Sequence, residues 1–206
     1  MFTPSSIAAL IVAASFAAGL NVYATVATLG ILSHFDWVVL PPGLDTLGHP
    51  WVICVSSLLF AVEIFADKIP ALDLVWNAAH TFIRIPIASL LAYKAASQLS
   101  PEMQLLAAAA GAAISALAHT SKTAARALVT PSPEPVSNIA LSAGEDVAAI
   151  SLTWLATHHP YTAGSIATVG IILLLLSLRW IAVRLKRMFR RRSPEPVLVP
   201  GGTTHR

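Results

Sequence analysis

The chain has 206 residues, 56% of them hydrophobic and only 11% charged, with a mean hydropathy of +0.72. A soluble domain carries roughly 25% charged residues, so a soluble globular fold is excluded as the default. Thirteen Lys and Arg against ten Asp and Glu give a net charge of +3, but eight of the basic residues and one acid lie from residue 179 onward, leaving five basic and nine acidic residues before it. The pI near 9.4 belongs to this tail and gives no ground for nucleic-acid binding by the body.

Crossing a hydrocarbon core of about 30 Å takes about 20 predominantly apolar residues. Six segments qualify, at about 5–33, 50–66, 71–97, 102–128, 137–157 and 161–186. They predict an all-α integral membrane fold of six transmembrane helices in a single domain over 1–188, followed by a disordered basic tail over 189–206. Cys54, the only cysteine, excludes an intrachain disulfide and a cysteine-based zinc site. Its apolar surroundings predict a buried small hydrophobe. The opening MFTPSS has no basic residue ahead of its apolar stretch, and so reads as retained rather than as a cleaved signal.

The first, third and fifth connections, HFDWVVLPPGLDTLGHP, SQLSPEM and THHPYTAG, contain no Lys or Arg. Lys68 lies in the second, Lys122 and Arg126 flank the fourth, and RLKRMFRRR continues the sixth segment into the tail. Because the Lys/Arg bias of short loops sets orientation, this alternation predicts both termini in the cytoplasm. Trp37, Trp51, Trp154 and Tyr161 then fall at the outer interface as an aromatic belt. The basic tail is expected to rest on anionic lipid, at about 1 kcal/mol per basic residue near the surface.

Divided near Pro101, at about 5–100 and 101–186, the chain has three segments on each side, with parallels in order. AAGLNVYAT interrupts the first segment and ALAHTSKT the fourth; PPGLD and PSPEP follow; then come paired acids, Glu63 with Asp67 and Glu145 with Asp146. An odd number of helices per half inverts the second half, which predicts a three-plus-three inverted-topology repeat with its site near the midplane.

Ionisable residues within such segments cost roughly 2.5–3.5 kcal/mol each at a helix centre, so their placement is informative. Glu63 and Asp67 share a face of the second segment. Asp73, Asn77, His80 and Arg84 form one stripe on the third, about 16 Å long at about 1.5 Å per residue. Pro86 follows two residues after Arg84 and predicts a kink. Ser115, His119, Lys122 and Arg126 make a basic stripe on the fourth, whose natural partners are the acids of segments two, three and five. Plainer roles compete: Asp67 and Lys68 as turn charges, Lys122 and Arg126 as snorkelling anchors, Asp73 as a helix N-terminal charge, His80 as a satisfied core histidine, and the whole set as interhelical ion pairs.

No HExxH, GxSxG, P-loop or GxGxxG motif is present, so hydrolase and nucleotide-enzyme readings have no motif behind them, and neither a cofactor nor a metal is implied. His158 and His159 are adjacent, hence poor joint ligands on a helix. The repeated SPEP at 132–135 and 193–196 reads as coincidence between Pro-rich loops.

The strings GLNVYAT, LPPGLD, FADKIPALDLVWNAAHTFIRIP, HTSKTAARALV and SPEPVSNIALSAGED, in order over residues 15–160, resemble a family of small bacterial integral membrane proteins catalogued as a domain of unknown function. The resemblance implies a multi-pass protein of the bacterial inner membrane and carries no activity with it. Its motif positions fall here on Asn21, Asp67, Lys68, Asp73, Trp76, His80, Thr81, Arg84, His119, Lys122, Arg126, Glu134, Asn138, Glu145 and Asp146. A proline directly after the arginine is commoner in the family; here Ile85 stands between Arg84 and Pro86.

These features point first to a small secondary transporter or ion-coupled carrier with a charged midplane site. In that reading Glu63, Asp67, Glu145 and Asp146 take protons or cations. Arg84, Lys122 and His119 hold an anionic solute or serve as countercharges, and His80 titrates near neutral pH. The alternatives are a structural or accessory membrane protein held by ion pairs, a channel, and a membrane-embedded lipid head-group enzyme with His80 or His119 as general base beside a carboxylate. Small-residue faces such as AAAAGAA at 107–113 suit packing within one chain or within a homo-oligomer.

Overall fold

A computed structural model describes residues 2–67, 70–129 and 135–190; within these, the side chains of 70–75, 77–78, 125–129, 135–138, 181–182 and 185–190 are not described. The described residues form seven α-helices and one 3₁₀ turn, without strands: α1 (Pro4–Leu20), α2 (Val22–His34), the turn Pro42–Gly48, α3 (Pro50–Ala66), α4 (Pro70–Ala95), α5 (Pro101–Val129), α6 (Pro135–His158) and α7 (Pro160–Arg190). Six of the seven helices begin on a proline, whose missing N–H is one of those left over at a helix start and whose fixed φ suits the first turn. α1 adds a capping box between Thr3 and Ser6.

Only α2 starts without proline, and there the structure departs from the sequence expectation. The predicted single helix over 5–33 is two helices meeting at Asn21, whose φ of −149° and ψ of 105° are extended. Asn21 ends α1 and caps α2, its Oδ1 accepting from the Ala24 N–H at 2.9 Å. By contrast, α5 runs unbroken through 116–123, so the interruption of α1 and α2 has no counterpart there. α4 likewise continues through Pro86.

Three helical stretches among the described residues are long and apolar enough to cross a membrane: Pro101–Ala124, Ile139–His158 and Pro160–Trp180. Pro42–Gly48 with Pro50–Ala66, bent by 68°, would make a fourth. α1 and α2 are apolar but short, at 17 and 13 residues.

Residues 1–174 form one compact unit. α1 is apolar all round because it is surrounded. Ile7, Ile11 and Ala18 pack with α2 and α4 residues such as Val22, Leu29, Leu91 and Ala92, while Leu10, Ala13 and Ala17 pack with Leu152 and Ala156 of α6 and Ala163 and Ala167 of α7. The second unit begins at Leu175; in it Arg184 lies 5.1 Å over the Trp180 ring. Exposed apolar side chains such as Phe82, Leu105, Leu106 and Ile172 face outward, as helices bathed in lipid require. Cys54 is exposed on the same kind of surface, correcting the expectation of burial. Trp37, Trp51, Trp154 and Tyr161 are all exposed.

Small residues let these helices approach closely. A Cβ on Gly19 would sit 2.6 Å from Ala118 Cβ and 2.7 Å from the Ser115 carbonyl oxygen, and one on Gly111 would sit 2.6 Å from Ala92 Cβ. The small-residue face around Gly111 is thus used within the chain, against α4. Gly144 has nothing within 4 Å. Gly19→Ala is therefore expected to destabilise by about 1–3 kcal/mol through overpacking, whereas Gly144→Ala is expected to be neutral or to stabilise by up to about 1 kcal/mol. Denaturation of the detergent-solubilised variants checks the contrast, and equal midpoints for the two would contradict it.

Candidate functional site

The α1–α2 break leaves a helix end inside the protein, and helix ends carry backbone groups without intrahelical partners. The Leu20 carbonyl at that end accepts from Arg84 Nη1 at 3.1 Å and from Lys122 Nζ at 3.1 Å. Two cations thus stand at the negative end of the α1 dipole. Both are buried, Arg84 completely.

The stripes explain how they arrive. His80, Arg84, Ala88, Leu91 and Ala92 make the buried face of α4; Gly111, Ser115, His119 and Lys122 that of α5; Ser142, Glu145, Asp146 and Ala149 that of α6. On α3, where apolar side chains face out, Ser56, Glu63 and Ala66 face in, and Asp67 follows as the capping residue.

Arg84 Nη2 pairs with Glu63 Oε1. Lys122 Nζ lies 3.0 Å from Glu145 Oε2, 3.6 Å from Glu63 Oε1 and 4.0 Å from Asp67 Oδ2. Ser142 Oγ donates to Asp67 Oδ2 at 2.6 Å, and Asn21 Nδ2 donates to Asp146 Oδ1 at 2.8 Å. Buried ion pairs at such distances offset desolvation only when their remaining lone pairs and protons are also satisfied. Glu63 Oε2 and Arg84 Nε, both buried, have no hydrogen-bond partner among the described residues.

Histidine tautomers follow from partners that can play only one role. Arg84 Nη1 can only donate, so His119 Nδ1, 3.3 Å away, accepts, and Nε2 carries the proton toward Thr81 Oγ1 at 2.8 Å. The Trp76 carbonyl can only accept, so His80 Nδ1 donates to it at 2.6 Å and Nε2 accepts from the Tyr23 hydroxyl at 2.9 Å. Trp76 packs against the His80 ring, with centroids 4.4 Å apart. Both ring nitrogens of each histidine are thereby engaged by non-carboxylate partners, which does not favour a histidine–carboxylate general base.

Of the residues the sequence singles out, Asn21, Glu63, Asp67, His80, Arg84, His119, Lys122, Glu145 and Asp146 are brought together. Lys68 and Glu134 lie outside the described residues, as do the side chains of Asp73, Asn77, Arg126 and Asn138. His158 lies apart, stacked on Trp154 at 4.3 Å. Tyr23, Ser142 and the Leu20 carbonyl join the site without having been anticipated. Ser142 was visible in principle, since it stands one helical turn before Glu145 and Asp146, and Tyr23 lies within GLNVYAT. No group of three or more His, Cys, Asp or Glu among the described residues is placed to hold a metal ion.

Four carboxyl groups therefore share two basic side chains inside a bundle of apolar helices, which defines the class: an all-helical protein of membrane character with a buried ionic cluster at a broken helix. Over residues 8–180 the chain matches the family described as Domain of unknown function (DUF4126), and it belongs to that family. No curated protein and no solved structure is matched by the chain.

Proposed function

We propose that the chain is a small ion-coupled secondary transporter. In this reading it crosses the bilayer six times, with α1 and α2 together as one broken crossing, as a three-plus-three inverted repeat with both termini cytoplasmic. The basic residues on alternate connections support the orientation. The meeting of the paired acids of α3 with those of α6 supports the repeat, since these are corresponding positions of the two halves.

The observation that carries the reading is the α1–α2 break, whose terminal carbonyl holds two buried cations that in turn meet Glu63, Asp67 and Glu145. Discontinuous helices with ionisable side chains at the break are how carriers build ion and substrate sites within the membrane. Because Arg84 and Lys122 already have carboxylate partners, while the carboxyls outnumber them by two, a proton or cation fits the site better than a free anion. An anionic solute would have to displace a carboxylate from one of the two bases.

The test is flux in proteoliposomes containing a pH-sensitive dye, challenged with a proton gradient and a series of monovalent cations and organic anions. The expected result is solute-dependent proton movement in the parent, reduced tenfold or more in Glu63→Gln and Arg84→Ala. Folded variants that transport like the parent, or a parent that moves nothing, would refute the carrier.

The direct Arg84–Glu63 and Lys122–Glu145 contacts favour a second reading, a structural protein whose charges lock its helices. It predicts that a paired substitution restores stability with no consequence for flux.

A further inference from the structure

We propose that the ion bound by this cluster is a proton, that Asp146 carries it, and that Asn21 at the α1–α2 junction senses the charge of that carboxyl. The coupling role rests on the carrier reading above; the proton-binding role does not.

Asp146 differs from the other three carboxyls. Glu63, Asp67 and Glu145 each lie within 4.0 Å of Arg84 or Lys122, whereas Asp146 has no ion pair among the described residues. It is nonetheless buried, at 8% exposure. The charges that reach it are Lys122 of α5, which attracts, and Glu63 and Asp67 of α3, which repel. Glu145 is its neighbour on α6, and α1 contributes no titratable side chain. Arg84 and His80 of α4, Tyr23 of α2 and His119 of α5 complete the set, each with the partners given above. An anionic carboxylate without a cation partner in an apolar bundle is costly, and a proton removes that charge without needing a coordination shell.

Glu63 Oε2 gives an independent sign that the cluster is short of a positive ligand. It is a carboxylate oxygen of a fully buried residue within the cluster, and it has no partner among the described residues. A proton on Asp146 would relieve the repulsion that Glu63 now contributes there.

The Asn21 amide is fixed in orientation. Its Oδ1 faces the Ala24 N–H, which can only donate, so Nδ2 must face Asp146 Oδ1. Because that bond occupies Oδ1, the proton goes to Oδ2, converting the carboxylate to the neutral acid. The Asn21 bond is then no longer charge-assisted, and charge-assisted bonds are roughly twice as strong as neutral ones. Asn21 is also the residue that ends α1 and starts α2, so loading the proton loosens the tie between α6 and the helix break.

Infrared difference spectroscopy of the purified full chain in bilayers, acidified stepwise, tests this with the proton itself as probe. The expected result is a protonated-carboxyl C=O band that grows on acidification and is lost in Asp146→Asn. In Asn21→Ala, where Asp146 is intact but loses its donor, the band should persist at higher frequency. A band unaltered in Asp146→Asn overturns the proposal, and so does one whose frequency ignores Asn21→Ala. If Asp146→Asn does not fold, Asn21→Ala alone decides, since a frequency shift there requires the carboxyl bonded to Asn21. An Asp146-dependent band in a protein that moves no solute would refute the carrier and leave the proton site standing.

Discussion

Replacing Arg84 with methionine is expected to lower stability by about 3–5 kcal/mol, the range for breaking a buried pair by removing one partner. The guanidinium meets three groups at once: Glu63, the Leu20 carbonyl and His119 Nδ1. Methionine fills much of the volume but leaves Glu63, which is completely buried, dependent on Lys122 at 3.6 Å. The Leu20 carbonyl keeps Lys122, so the carboxylate accounts for most of the loss.

The double variant Arg84→Met with Glu63→Gln should recover part of it, because an amide needs no countercharge. A coupling of about 0.5–3 kcal/mol between the two substitutions is the range for residues in one network. Arg84→Lys should not substitute well, since an ammonium cannot present the planar fork that spans α1, α3 and α5. Denaturant titration of the solubilised variants measures all three. An Arg84→Met variant within about 0.5 kcal/mol of the parent would mean that the guanidinium ties nothing together.

Much of this arrangement can be read in the sequence, and the parts that cannot have physical reasons. The helix starts follow from Pro50, Pro70, Pro101, Pro135 and Pro160, and the buried faces of α4, α5 and α6 follow from polar residues at helical spacing. The break at Asn21 follows only in part: AAGLNVYAT marks an interruption of the first segment, but no proline or charged residue within 5–33 forces the helix to end there. It is stabilised by partners distant in the chain, Arg84, Lys122 and Asp146, 64, 102 and 125 positions from the residues they bond.

Cys54 illustrates a different limit. In a soluble protein an apolar run points inward, but in lipid the outward face is apolar too, so Cys54, Leu58 and Phe65 are exposed while Ser56 and Glu63 of the same helix are buried. On α3 polarity, rather than apolarity, marks the inside. Among the described residues three helices, or four with the bent pair, are long and apolar enough to cross a membrane, where six apolar runs were expected. The break at Asn21 accounts for one of the missing runs, since it leaves α1 and α2 at 17 and 13 residues, and α3 is likewise 17 residues long.

Lys122→Gln provides the sharpest test of the charge balance. The Lys122 ammonium has three donors and no alternative role as an acceptor; it reaches the Leu20 carbonyl, Glu145 and the Glu63–Asp67 side of the cluster. Removing its charge raises the excess of carboxyls over cations from two to three. An uncompensated buried charge costs several kcal/mol, and no other described cation lies at the cluster besides Arg84, which is already held by Glu63. Proton uptake is the remaining compensation. The variant is therefore expected to hold one more carboxyl-bound proton per molecule than the parent at the same pH, and Lys122→Arg, which keeps the charge, none. Potentiometric titration of matched samples from the acid limit, where all carboxyls are protonated, counts the difference as one proton fewer released. A Lys122→Gln protein with the parent's count of carboxyl-bound protons would show that the cluster tolerates the added negative charge unneutralised, in which case charge balance could not be what places a proton there.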